Sequence, residues 1–222
     1  MKTKILLGAA ATLLASSGAF AQAAGSIVVY GGAAQISPQV DSGDLTAPSL
    51  AGTKIDVKKA SSFVGGVTYY WTDNISIDLP IAVPFKHDVV GAGAIQGTGK
   101  LGTVKSLPIT LLAQYRFGDA NSALRPFVGA GPTYGYFFKP RATATLSGIT
   151  GGTTANPTTL SMKRRLGATL EAGVAYNVTK DWSASLSVTK TFIKTTGSLS
   201  TGQTIETSLD PVSIKFGVGY RF

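Results

Sequence analysis

The chain has 222 residues, 44% hydrophobic and 14% charged, with 27 Gly, no Cys and a formal net charge of +9. That length suits one all-β domain, and the lack of Cys excludes a disulfide scaffold and thiolate-bound zinc. After the N-terminal segment no apolar run reaches the ~18 residues of a membrane helix, so a membrane location would require a barrel of strands.

Met1 to Ala21 stands apart. Lys2 and Lys4 form a basic head, Ile5 to Ala15 an apolar centre, and Ala19-Phe20-Ala21 a small-residue end. This is the pattern of a secretory signal, and the mature chain is expected to begin near Gln22. No Lys/Arg block interleaved with aromatics follows, so nucleic acid is not an expected partner. The basic balance points instead to the phosphates of lipid headgroups.

The rest of the chain alternates with a period of two, the signature of strands. In the first strand, Ser26 to Ser37, Val28, Tyr30, Gly32, Ala34 and Ile36 share one parity and Ile27, Val29 and Gly31 the other, which leaves its facing open. Gln39 to Gly52 reads as a long loop. The second strand, about Lys54 to Trp71, sets Phe63, Val67, Tyr69 and Trp71 against Ser62, Gly66 and Thr68, and Thr72-Asp73-Asn74 is a tight turn. The third sets Ile75, Ile77, Leu79, Ile81, Val83 and Phe85 against Ser76, Asp78, Pro80, Ala82 and Pro84, and Lys86 to Thr103 reads as a second loop.

Strand four sets Leu107, Ile109, Leu111, Ala113, Tyr115 and Phe117 against Thr110, Gln114 and Arg116, and turns at Gly118 to Ser122. Strand five sets Val128, Ala130, Tyr134, Tyr136 and Phe138 against Gly129, Gly131, Thr133 and Gly135, followed by a polar loop from Lys139 to about Ser161. In strand six Leu166, Ala168, Leu170, Ala172, Val174 and Tyr176 oppose Arg165, Gly167, Thr169, Glu171 and Gly173; Asn177 to Asp181 turns it. Strand seven carries Trp182, Ala184, Leu186, Val188 and Phe192 against Ser and Thr, with Lys190 interrupting the apolar side, and Thr195 to Leu209 is a fourth loop. The last strand, Asp210 to Phe222, sets Val212, Ile214, Phe216, Val218, Tyr220 and Phe222 against Ser213, Lys215, Gly217, Gly219 and Arg221.

These are eight strands whose connections alternate between short and long, with aromatics at strand ends. Outer-membrane barrels combine these features, with short turns in the periplasm and long loops outside. The polar parity then faces a lumen and carries Asp78, Pro80, Arg116, Glu171, Thr189, Lys215 and Arg221. Charges in so narrow a space must be paired or hydrated, so a salt-bridged plug is the first reading and a charge-selective filter the second. Gly97 to Gly102 matches G-x-G-x-x-G without a following helix and reads as a loop. His87, the sole histidine, reads as a polar rim residue or a hydrogen-bonding group in the barrel mouth. No nucleophile, base and third partner come together, so no catalytic, metal or cofactor residues are expected and the chain is read as a non-enzyme.

The blocks Thr72-Asp73-Asn74-Ile75, Pro84-Phe85-Lys86-His87, Leu107-Pro108, Ala113 to Asp119, Arg125 to Gly131, Lys180-Asp181-Trp182 and Gly219-Tyr220-Arg221-Phe222 resemble, in order, the OmpW family of outer-membrane proteins. The resemblance covers essentially the whole mature chain, residues 22–222. It implies an all-β, eight-stranded antiparallel transmembrane β-barrel of up-and-down topology, whose lumen is associated with movement of small hydrophobic molecules. Ser and Thr at the inward positions of strand seven mean that a hydrophobic constriction does not carry over.

An eight-stranded barrel barely holds its own side chains, which disfavours a wide aqueous pore. Sideways exit into lipid needs no such pore, and Pro80, Pro84 and Pro108, which lack backbone donors, read either as a lateral opening between strands three and four or as plain markers of strand ends and bulges. The alternative is a structural or surface-interaction barrel whose external loops bind a partner. Expected partners are outer-membrane lipid, small hydrophobic molecules and the outer-membrane assembly machinery, through the strand ending in Phe222.

Overall fold

A computed structural model describes residues 24–222, and the predicted signal at residues 1–21 lies outside them. The strands are β1 (Ile27–Ser37), β2 (Asp41–Ser42), β3 (Thr53–Val57), β4 (Ala60–Tyr70), β5 (Ile75–Ala82), β6 (Phe85–Gly93), β7 (Lys100–Thr110) and β8 (Leu112–Arg116), then β9 (Leu124–Ala142). After α1 (Ala144–Thr150) come β10 (Leu160–Met162), β11 (Arg165–Asn177), β12 (Trp182–Phe192), β13 (Lys194–Leu199), β14 (Thr204–Ser208) and β15 (Val212–Arg221).

Eight of them form the wall in the order β1-β4-β5-β8-β9-β11-β12-β15, and β15 pairs back onto β1 from Val28↔Arg221 to Ser37↔Val212. Every neighbour is antiparallel, so the sheet is a closed up-and-down barrel. The short turns are held by their own side chains: Thr72 Oγ1 accepts from the Ile75 amide at 2.9 Å, and Thr179 Oγ1 from the Trp182 amide at 3.0 Å. Asn74 Nδ2 donates to the carbonyls of Arg116 and Gly118, tying two adjacent turns together. The outward parity is apolar and bare, with Phe63 76% and Leu166 74% exposed. In a closed barrel such a surface is the one that meets lipid.

At the long-loop end the predicted loops are folded. Lys86 to Thr103 is the β6–β7 hairpin; Lys139 to Ser161 contains the end of β9, α1 and the start of β10; and β10-β13-β14-β2 make a second sheet. This extension has its own apolar interior, with Leu45, Ile95, Leu101, Leu146, Leu199 and Ile205 buried together. Here the alternation is inverted, because water rather than lipid lies outside: in β6 Phe85, His87 and Val89 are buried while Lys86 is exposed. The inversion, in strands rich in Gly, Thr and Ser, is why these segments read as loops.

Two placements are corrected by the same change. Phe85 does not continue the outward row of Ile81 and Val83, since the strand breaks at Val83–Pro84 and its phase slips by one residue, leaving Phe85 inside against Ala34, Ile36 and Val64. His87 is not a rim residue: only 4% exposed, it lies with Nδ1 2.8 Å from the Lys58 carbonyl and Nε2 3.1 Å from Ser106 Oγ. Gly97 and Gly99 take φ of 87° and 81° in the tip of the hairpin and lead directly into strand β7 rather than a helix.

Candidate functional site: the lumen and its open seam

The inward residues of the short-turn half form one polar network. Lys215 Nζ lies 3.4 Å from both Asp78 Oδ2 and Glu171 Oε1, with the two carboxylates essentially buried. Asp78 accepts from Thr68 Oγ1 at 2.7 Å and from the Tyr30 hydroxyl at 3.2 Å, and Glu171 accepts from Gln114 Nε2 at 2.7 Å. Arg116 Nε donates to Ser76 Oγ and its terminal nitrogen to Gln114 Oε1, with the guanidinium between the rings of Tyr70 and Phe127 at 5.0 and 4.7 Å. Desolvated charges persist only where such partners exist. Gly129 leaves the space for this group, since a Cβ there would sit 3.0 Å from Gln114 Cγ.

The structure therefore brings Asp78, Glu171 and Lys215 into ionic contact, whereas Arg116 joins them through Gln114. Arg221 follows the inward parity of β15 nearer the short turns. Thr189 lies on the wall above the network, beside Lys215 in the lining of the cavity described next. Thr68 and Ser76 lie on the polar parity of their strands but carry no formal charge to single them out, and Tyr30 lies in the strand whose facing the sequence leaves open. Arg125 is fully buried and donates to the Asp73 carbonyl at 2.6 Å; it fell just before the predicted start of strand five.

Above the network runs a chain of hydroxyls, Thr110 to Thr133 to Thr169 to Thr191, crossing four staves. Beyond it opens a cavity of about 150 Å³. Its wall is mostly apolar and includes Ile36, Val64, Phe85, Phe137, Ile193 and Leu209. A second cavity of about 50 Å³ in the extension shares Val57, Met162 and Leu209 with the first, so the two stack along the axis.

The cavity borders a defect in the wall. β5 pairs with β8 only from Ile75↔Tyr115 to Asp78↔Leu112, and pairing resumes one residue out of step between β6 and β7 at Phe85↔Ser106. Between these points 79–84 and 107–111 have no ladder partner across the seam. Val83 donates to the Phe63 carbonyl and Leu111 to the Pro132 carbonyl, so odd-numbered residues of both segments bond away from the seam and even-numbered ones point into it. Continuing the lower register would pair Pro80 with Thr110, Ala82 with Pro108 and Pro84 with Ser106. Each of those pairs contains a proline and would lose a donor. The prolines thus stop the ladder while reducing the orphan donors that would face lipid. Pro80, Ala82, Pro108 and Thr110 all line the cavity.

The OmpW family model matches residues 23–222. Outer membrane protein W of Escherichia coli is 36% identical over 226 residues, covering all of both chains. The crystal structure of OprG from Pseudomonas aeruginosa superposes with a TM-score of 0.82 at 28% identity, covering 92% of this chain and 99% of that one. A more distant relative, the dibenzothiophene metabolism operon protein PahQ of Pseudomonas aeruginosa, is 23% identical over 181 residues, 80% of this chain and 79% of that protein. A closed eight-stave barrel with a lipid-facing exterior, matched along its full length, places the chain in the Gram-negative outer membrane as a member of the OmpW family.

Proposed function

We propose that this barrel gives small hydrophobic molecules a passive route out of the external medium and into the membrane, leaving the lumen sideways between β5 and β8. The observation that carries this reading is the adjacency of the apolar cavity to a wall segment without ladder pairing. The network of Asp78, Glu171, Lys215 and Arg116 crosses the lumen below the cavity, so an apolar solute descending further would have to displace hydrogen-bonded charges. Moving sideways through the seam exchanges one apolar surrounding for another. The name of the PahQ relative, which ties that protein to metabolism of an aromatic sulfur heterocycle, supports an apolar cargo.

The test uses the absence of native cysteine. Ile81→Cys and Ile109→Cys, joined by a bifunctional thiol reagent, bridge the seam; Ala172→Cys and Val188→Cys, register partners in β11 and β12, bridge ordinary wall. In proteoliposomes, uptake of an apolar fluorescent probe is expected to slow severalfold on bridging the seam and to be unchanged on bridging the control. Equal block by both bridges, or no effect of either, would remove the lateral route.

A further inference from the structure

The outward face beside the seam carries a feature that passage of solutes does not use. Lys86 of β6 and Lys105 of β7 are register partners. Their neighbours Phe85, His87 and Val104 are buried inside, and His87 bonds Ser106 across the interior, so both lysines stand on the outer surface. Like charges directly opposite on one sheet face repel, and among the described residues neither lysine has a carboxylate within ion-pair distance. Asp88, the acid next along this face, is engaged by Lys100 at 2.7 Å.

The height of this pair along the barrel is set by its neighbours. Lys105 is the register partner of Phe138, whose ring stacks on Tyr136 at 5.2 Å, and Arg164 lies over Tyr136 at 4.3 Å. Outward aromatics with basic groups at their edge mark the headgroup level of a membrane. Charge also differs by end: the short turns balance Asp73, Asp119 and Asp181 with Arg125, Lys180 and Arg221, whereas at the external end basic residues, Lys86, Lys105, Lys139, Arg141 and Arg164 among them, outnumber the acids Asp41, Asp44, Asp56, Asp88, Glu206 and Asp210.

We propose that Lys86 and Lys105 form a binding site for the phosphate of an outer-leaflet phosphoglycolipid, such as a lipid A headgroup, which the sheet holds at the upper lip of the seam with its acyl chains alongside the barrel. A phosphate bridging two ammonium groups converts their repulsion into paired attraction. The acyl chains supply what a free anion lacks, a fit to the apolar outer surface formed by Val83, Leu107 and Ile109. The site stands whether or not solutes cross the barrel.

The full-length barrel, purified from nanodiscs containing bisphosphorylated lipid A, is examined by native mass spectrometry for retained lipid. Parallel samples contain fully dephosphorylated lipid A, or inorganic phosphate added at millimolar concentration. Wild-type protein is expected to retain the phosphorylated lipid about tenfold more than the dephosphorylated one. Lys86→Gln with Lys105→Gln is expected to abolish the difference, Lys86→Arg with Lys105→Arg to preserve it, and Lys180→Gln at the opposite end to leave it unchanged. Heat-modifiable gel migration verifies that each variant is a closed barrel. Equal retention of both lipids by wild type, undiminished preference in the double Gln variant, or full competition by inorganic phosphate would overturn the assignment.

Discussion

Among the described residues, Lys215 is the one cation in ionic contact with two buried carboxylates, Asp78 and Glu171. Removing it by Lys215→Met leaves both buried acids with only neutral donors in direct contact, the nearest remaining network cation, Arg116, being separated from Glu171 by Gln114. Breaking a buried pair in this way costs about 3–5 kcal/mol. We expect urea unfolding of the reconstituted Lys215→Met barrel to show a loss of that size. Adding Asp78→Asn and Glu171→Gln should recover most of it, because amides need no counter-charge. A loss below about 1 kcal/mol would mean that the carboxylates are hydrated in the lumen and that the network is a surface-like pair. These residues announced themselves in the sequence as charges on the polar parity, but the geometry joining them did not, since Tyr30 and Lys215 lie at opposite ends of the chain.

At the scale of single elements, the terminal strand and the external hairpin obey opposite rules. In β15 Phe216 is about half exposed on the lipid side, while Ser213 lies on the inward parity. An Arg facing the bilayer midplane costs about 2–4 kcal/mol, so Phe216→Arg should reduce folding yield in lipid vesicles sharply and Ser213→Arg much less. Equal tolerance would contradict the assigned facing. The alternation of β15 was fully legible because lipid demands apolar side chains at every outward position. That of β6 was not, because its exterior is wet and its interior dry, and the proline break shifts the phase just before it.

The hairpin also predicts a pH dependence. Burial lowers the His87 pKa below its ordinary 6.5, outweighing the opposing effect of the Lys58 carbonyl and Asp88. The folded hairpin therefore favours the neutral ring, with Nδ1–H donating to the Lys58 carbonyl and Nε2 accepting from Ser106. A base whose folded pKa is depressed contributes stability fully above its unfolded pKa. That contribution is lost as pH falls below about 6.5 towards the folded value. Amide hydrogen exchange should show β6 and β7 less protected at pH 5.5 than at pH 7.5 after correction for intrinsic rates, and His87→Gln should flatten the difference. An unchanged difference in that variant would assign the effect to other groups.

At the scale of the whole molecule, the sequence by itself determined the number of barrel staves, the lipid-facing side of nearly every stave, the alternation of short and long connections and the family. Each of these is written into local periodicity, because the bilayer imposes one solvent on one face over about ten consecutive residues. The three prolines were equally visible, but only the registers on either side of the seam, one residue out of step, showed that each proline falls on a hydrogen-bonding position of the interrupted ladder. The tertiary structure alone decided that the four external segments fold over a common apolar interior, that Phe85 turns inside, and that Thr110, Thr133, Thr169 and Thr191 meet at one level. The reason is that a residue's surroundings depend on its height along the barrel axis and on the stagger between staves, and neither is encoded in any single strand.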